Sequence, residues 1–166
     1  MFLITPPRAR AGWCGPGALN SAAIEQGLGP IDQEKLAPAV GIDGAGTSHE
    51  MMVTGATYLG LSAHWVQNQS LDQLNQFKRA GRSIILNWMN GENYNEDGHY
   101  SLLSEVSESQ IILNDSELTG MIKILRRSDF EKLWFDIDRN GQRYERFALV
   151  LFRPPAAVRL SVCSSL

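Results

Sequence analysis

The chain has little cysteine, little histidine and no long apolar run, and each shortage closes off a class of protein. Its two cysteines, Cys14 and Cys163, lie near opposite ends of the 166 residues, in neither a Cys-x-x-Cys pair nor a zinc-like spacing. A disulfide scaffold is therefore not expected, and a reducing compartment fits best. Three scattered histidines, His49, His64 and His99, do not assemble a metal site. No cofactor is called for. The basic residues form small groups, Arg126 with Arg127 and Arg139 with Arg143 and Arg146, beside acidic neighbours in a chain of net charge −3. Nucleic acid is not the expected partner, because phosphate binding draws on clustered cations. No apolar stretch approaches bilayer length and residues 1–6 are too short for a signal peptide, so membrane insertion is not expected. A soluble cytoplasmic chain is the expectation, with export as an effector lacking a classical signal as the alternative. The loop Gly41-Ile42-Asp43-Gly44-Ala45-Gly46 lacks the Lys-Ser/Thr and the Gly-x-Gly-x-x-Gly order that phosphate cradles need, and reads as a connection.

What is present is concentrated around Trp13-Cys14-Gly15-Pro16-Gly17-Ala18-Leu19-Asn20, where an extended segment turns into a helix. Pro16 suits a first helical turn because its missing N–H has no intrahelical partner there. Ala18, Leu19, Ala22, Ala23 and Ile24 supply an apolar face, and Gly27 stops a helix that ends at about Gln26. Unpaired N–H groups and the positive end of the helix dipole beside the sulfur favour thiolate over thiol. A base is then needed. His99 lies in Gly98-His99-Tyr100-Ser101-Leu102-Leu103, which opens a strand, and the next strand, Gln110-Ile111-Ile112-Leu113-Asn114-Asp115, ends in a carboxylate. Antiparallel pairing of two strands joined by a short turn makes His99 and Asp115 cross-strand neighbours. Inert packing is the other reading of a small cysteine beside a helix, and it is the fit of His99 and Asp115 that favours catalysis at Cys14.

Cys14-Gly15-Pro16-Gly17-Ala18-Leu19, Gly98-His99-Tyr100-Ser101-Leu102-Leu103 and Ile112-Leu113-Asn114-Asp115-Ser116 resemble, in order and spacing, the three motifs of the bacteriocin-processing cysteine peptidases. That family consists of papain-like domains that cut after a double-glycine leader, often at the N terminus of peptide-exporting transporters. With no membrane or ATPase segments, the chain is similar to the stand-alone members. The resemblance covers most of the chain and implies Cys14 as nucleophile, His99 as general base and acid, and Asp115 as the group that orients the imidazole. Two positions depart from the pattern. The family carries a glutamine shortly before the cysteine as an oxyanion-hole donor, whereas residues 5–13 contain no Gln and offer Arg8 and Arg10; the family's proline after the aspartate is Ser116. One lost oxyanion donor costs roughly 100- to 1,000-fold in rate.

The remaining pattern is that of an α+β domain: helices at residues 31–40, interrupted by Pro38, at 48–59 with a Thr47/Glu50 capping box, and at 71–80 with a Ser70/Gln73 box. Strands are expected at 62–67, 83–89, 100–106, 110–114 and 121–125, a last helix at 129–135 capped by Ser128, and a strand at 144–152. A helical half followed by an antiparallel sheet matches a papain-like plan in which the nucleophile helix packs on the sheet. At this size, residues 1–166 are expected to form one domain burying about 70% of the unfolded surface, with residues 155–166 as a polar tail. His49 reads as a solvated helix residue and His64 as a strand residue. Asp136 to Gly141 opens like a calcium loop, but Phe147 stands where a bidentate glutamate is required, so a hairpin turn is expected.

The expected chemistry is acyl transfer through a thioester, on a peptide or protein substrate. Hydrolysis makes a protease or a glutamine deamidase; a captured amine makes an acyltransferase. The Cys14 backbone N–H supplies one oxyanion donor, and Arg8 is the candidate for the second, with a surface role as its alternative. Glu92, Glu96 and Asp97, in the segment leading into His99, are expected to favour a basic substrate segment, or simply to solubilise a loop. A rival from another class is a catalytically silent module that holds a leader peptide and has lost turnover with the oxyanion glutamine.

Overall fold

The computed structural model describes residues 12–42, 46–90, 98–115 and 122–155. The expected site residues Arg8, Glu92, Glu96 and Asp97, and the expected tail beyond residue 155 with Cys163, lie outside the described residues.

A six-stranded antiparallel sheet in the order β1-β8-β2-β3-β4-β5 is covered on both faces. Its strands are β1 (Ser62–Val66), β2 (Ser83–Met89), β3 (Gly98–Val106), β4 (Gln110–Asn114), β5 (Ile122–Arg126) and β8 (Ala148–Phe152). On one face lie α1 (Cys14–Glu25), α2 (Gln33–Val40) and α3 (His49–Tyr58); Ala18, Leu19 and Ala22 pack there on Ile85, Leu102, Phe147 and Leu149. On the other, α4 (Leu71–Arg79) and α5 (Arg127–Leu133) close over Ile84, Leu86, Trp88, Leu113 and Val150. The central strand β2 is buried at all seven positions, which is why Ser83-Ile84-Ile85-Leu86-Asn87-Trp88-Met89 is not an alternating pattern. A small hairpin, β6 (Phe135–Ile137) with β7 (Arg143–Glu145), forms a second sheet that packs against β2 and β3.

α1 is buried from Cys14 to Ala23, as expected of a helix wedged between a sheet and two other helices. Its far end is tied down. Glu25 accepts from Lys78 Nζ and Ser83 Oγ, both at 2.6 Å, while the Gln26 side chain donates to Gly81 and Ser83 and accepts from the Arg153 backbone.

The structure corrects several sequence expectations. Pro38 does not interrupt α2, which runs through it to Val40; a proline one turn from the start forfeits a single bond, and Gly41 at φ 64° then stops the helix. α3 is capped by Ser48, whose hydroxyl accepts from Met51 N, and Thr47 packs elsewhere. α5 begins at Arg127, ahead of Ser128, and Arg127 is gripped by Asp72 at 2.8 and 3.0 Å and by Glu131 at 3.2 Å. The expected strand 144–152 is two strands in two sheets, broken at Arg146, whose φ is 48°. The hairpin turn at Asp138 is as expected, with Asp138 Oδ1 accepting from Asn140 N and Gln142 N at 2.8 Å each.

Candidate active site

Cys14 is the first residue of α1, and Trp13 caps the helix without a side-chain bond. The first intrahelical backbone bond into Trp13 comes from Gly17, so the N–H groups of Cys14 and Gly15 have no acceptor within the helix. Gly15 is required by packing. A Cβ there would lie 2.7 Å from Thr47 Oγ1 and 2.9 Å from Thr47 Cβ, so the segment entering α3 presses directly on the turn that carries the sulfur.

His99 is 4% exposed, near the start of β3. Its Nε2 lies 2.9 Å from Asp115 Oδ1, a carboxylate 1% exposed in its side chain, just beyond the end of β4. The pairing is diagonal: Leu102 faces Asn114 across the strands, which puts Asp115 level with Ser101 and within reach of the imidazole two residues along. Trp88, opposite His99 in β2, walls the ring edge-on at 5.8 Å and is itself fixed by an indole bond to Ser101 Oγ at 3.1 Å. With Nε2 given to Asp115, the other ring nitrogen is left for the Cys14 side chain, which acts on the same imidazole. Burial is the largest influence on this histidine and opposes its charge. The bonds to Asp115 and Cys14, with the charges on both, outweigh it and push the imidazole up to about 9.

The three residues singled out in the sequence therefore meet. Chemically, a buried thiol beside an imidazole that a carboxylate orients is a unit able to attack an acyl carbon and pass a proton to the departing group. His64 is an exposed residue of β1, as expected. His49 is not the solvated residue expected: it is 6% exposed, stacked on Phe147 at 3.8 Å and edge-on to Tyr144 at 4.5 Å. Its Nε2 stands 3.6 Å from Asp136 Oδ2. Burial lowers the His49 pKa from its ordinary value, against the opposing pull of Asp136, Asn87, Glu50 and Asp138. The sequence pattern marks Asp136 only as the opening of a hairpin turn; the signal of its burial is a carboxylate set among Trp134, Phe135 and Ile137. Among the described residues no group of three or more His, Cys, Asp or Glu side chains is arranged to hold a metal ion, and no helix is long and apolar enough to cross a membrane.

Comparison with known proteins gives the same architecture. The peptidase domain of Streptococcus ComA, a bi-functional ABC transporter involved in quorum sensing, superposes with a TM-score of 0.73 at 17% identity, over 92% of this chain and 100% of that one. A C39-like peptidase from Bacillus anthracis matches at 0.69 and 14% identity, over 92% and 95% of the two chains. A double glycine motif protease from an AMS/PCAT transporter, solved with its leader peptide, matches at 0.64 and 16% identity, over 87% of each. No curated protein matches. The model of the Peptidase C39 family spans residues 14–137, most of the chain and all three meeting residues. The chain belongs to the Peptidase C39 family, cysteine peptidases of papain-like fold.

Proposed function

We propose that the chain cleaves a peptide bond after a double-glycine leader, with Cys14 as nucleophile, His99 as general acid and base, and Asp115 as the residue that orients and charges His99. The observation that carries this reading is the buried His99, 2.9 Å from Asp115 and with its imidazole raised by both Asp115 and Cys14. The Cys14 thiolate attacks the scissile carbonyl carbon and the oxyanion forms beside the Cys14 backbone N–H. As the tetrahedral intermediate collapses, the C–N bond breaks and the imidazolium gives its proton to the leaving amine. Water, deprotonated by the now neutral imidazole, attacks the thioester and releases the second product and the thiolate. The double-glycine leader as substrate is supported by family membership and by the leader bound to the AMS/PCAT protease.

The test is alkylation of Cys14 as a function of pH, resolved from Cys163 by peptide mass spectrometry, in the parent and in His99→Ala. Fast labelling that disappears with His99 is the expected result, together with parent cleavage of a double-glycine peptide that Cys14→Ala abolishes. Labelling that tracks an ordinary thiol in both proteins removes the pair, and leaves a module that binds without turnover.

A further inference from the structure

Cys14 and His99 stand on segments that are far apart in sequence, and one buried chain of contacts runs between the residues next to them. Beside Cys14, Gly15 is pressed by Thr47. Two residues on, His49 opens α3 and is clamped by the Phe147 and Tyr144 rings. Its Nε2 faces Asp136 Oδ2 at 3.6 Å, with the two side chains 6% and 13% exposed. Asp136 Oδ1 accepts from Ile137 N at 2.9 Å, which fixes the carboxylate on β6. That carboxylate fills the space where a side chain at residue 98 would be: a Cβ on Gly98 would lie 2.1 Å from Oδ1 and 2.5 Å from Cγ. Gly98 immediately precedes His99.

We propose that His49 and Asp136 are positioning residues that set the Cys14–His99 separation, by bridging the segment packed on Gly15 to the segment packed on Gly98. The inference rests on the reading of Cys14 and His99 as the reacting pair. A thiol and an imidazole need placement to within about 0.5 Å, and an error of about 1 Å costs on the order of 100-fold in rate. Nothing about a buried histidine and carboxylate makes them a natural stabiliser, since desolvation offsets their attraction. Their value lies in direction: the carboxylate meets the Gly98 backbone and the His49 ring at the same time. The groups around the pair are Glu50 and Asp138, whose charges reach His49, Asn87 on β2, and Tyr100 on β3. The Tyr100 ring lies edge-on to His49 at 6.2 Å, and burial raises its phenol well above the ordinary value.

The experiment is the pH profile of Cys14 alkylation by iodoacetamide, with melting temperature measured alongside, in the parent, Asp136→Asn, His49→Gln and Gly98→Ala. Asp136→Asn keeps the volume and loses the charge. If the bridge positions His99, labelling near neutral pH falls by about 10-fold or more, because a Cys14 thiol without its imidazole partner loses the thiolate that reacts. His49→Gln, on the other side of the bridge, gives the same displacement independently. Gly98→Ala lowers the melting temperature, and adding Asp136→Ala to it removes the clash and restores folding while labelling near neutral pH stays slow. Folded Asp136→Asn and His49→Gln proteins with the parent's labelling rate near neutral pH overturn the inference while leaving the Cys14–His99 pair standing. A parent that labels as an ordinary thiol overturns the pair and the inference together.

Discussion

His99 carries two opposed influences, and their balance decides how the site titrates. Burial alone would hold it neutral, yet Asp115 and Cys14 keep it charged to about pH 9. Asp115→Asn retains the shape and removes the charge that supports the imidazolium. Its expected effect is a drop in peptidase activity of about 100-fold or more, with the alkaline limb of the activity profile moving from about 9 toward the unperturbed histidine range. An unmoved limb in a folded Asp115→Asn protein would show that the carboxylate does not set the charge on His99. At this scale the sequence was informative where the chemistry is rare: one cysteine at a helix start, one histidine opening a strand and one aspartate closing the next. It misled at His49, because a histidine after Ser48 at a helix N terminus looks solvated. Only the fold brings Phe147 and Tyr144, about a hundred residues later, onto its ring.

At the scale of elements, α1 is held by close approach as much as by apolar area. Gly55 of α3 faces Leu19 of α1 and Val40 of α2, and a Cβ there would lie 2.7 Å from a methyl of each. Alanine would gain about 1 kcal/mol of helix propensity, but overpacking between three helices costs about 1–3 kcal/mol. Gly55→Ala is therefore expected to lower the urea midpoint despite the better helix former; a raised midpoint would mean that the three helices separate freely. Helices and strands with strong local signals emerged close to their expected bounds. The Ser70/Gln73 capping box is formed with both bonds, and β2 and β4 match residue for residue. The expectations failed where long-range contacts overrule local ones. α5 begins early, with Arg127 in its first turn paired to Asp72, and residues 144–152 are split because Arg146 turns the chain out of the hairpin and into the main sheet.

At the scale of the whole molecule, two buried histidines bound the stable pH range from opposite sides. The folded pKa of His99 is raised, so its contribution is fully present below about 6.5 and is lost as pH rises through about 9. That of His49 is lowered by burial: below about 6.5 the unfolded chain binds a proton that the folded chain refuses, so stability falls on acidification. Urea midpoints measured across both limbs should peak between them. His99→Gln should flatten the alkaline side and His49→Gln the acid side. Parallel curves for parent and variants would refute this assignment.

The sequence by itself determined the α+β class, the helix that begins at Cys14 and the identity of the three residues that meet, because helix starts, strand periods and reactive side chains are local properties. Tertiary structure alone decided that Asp115 reaches His99 on a diagonal, and that Thr47 lies on Gly15. It also decided that a buried His49–Asp136 contact spans the ground between the thiol's segment and the imidazole's. Those are distances between segments remote in sequence, set by the packing of three helices and a hairpin around one sheet. No local pattern encodes them.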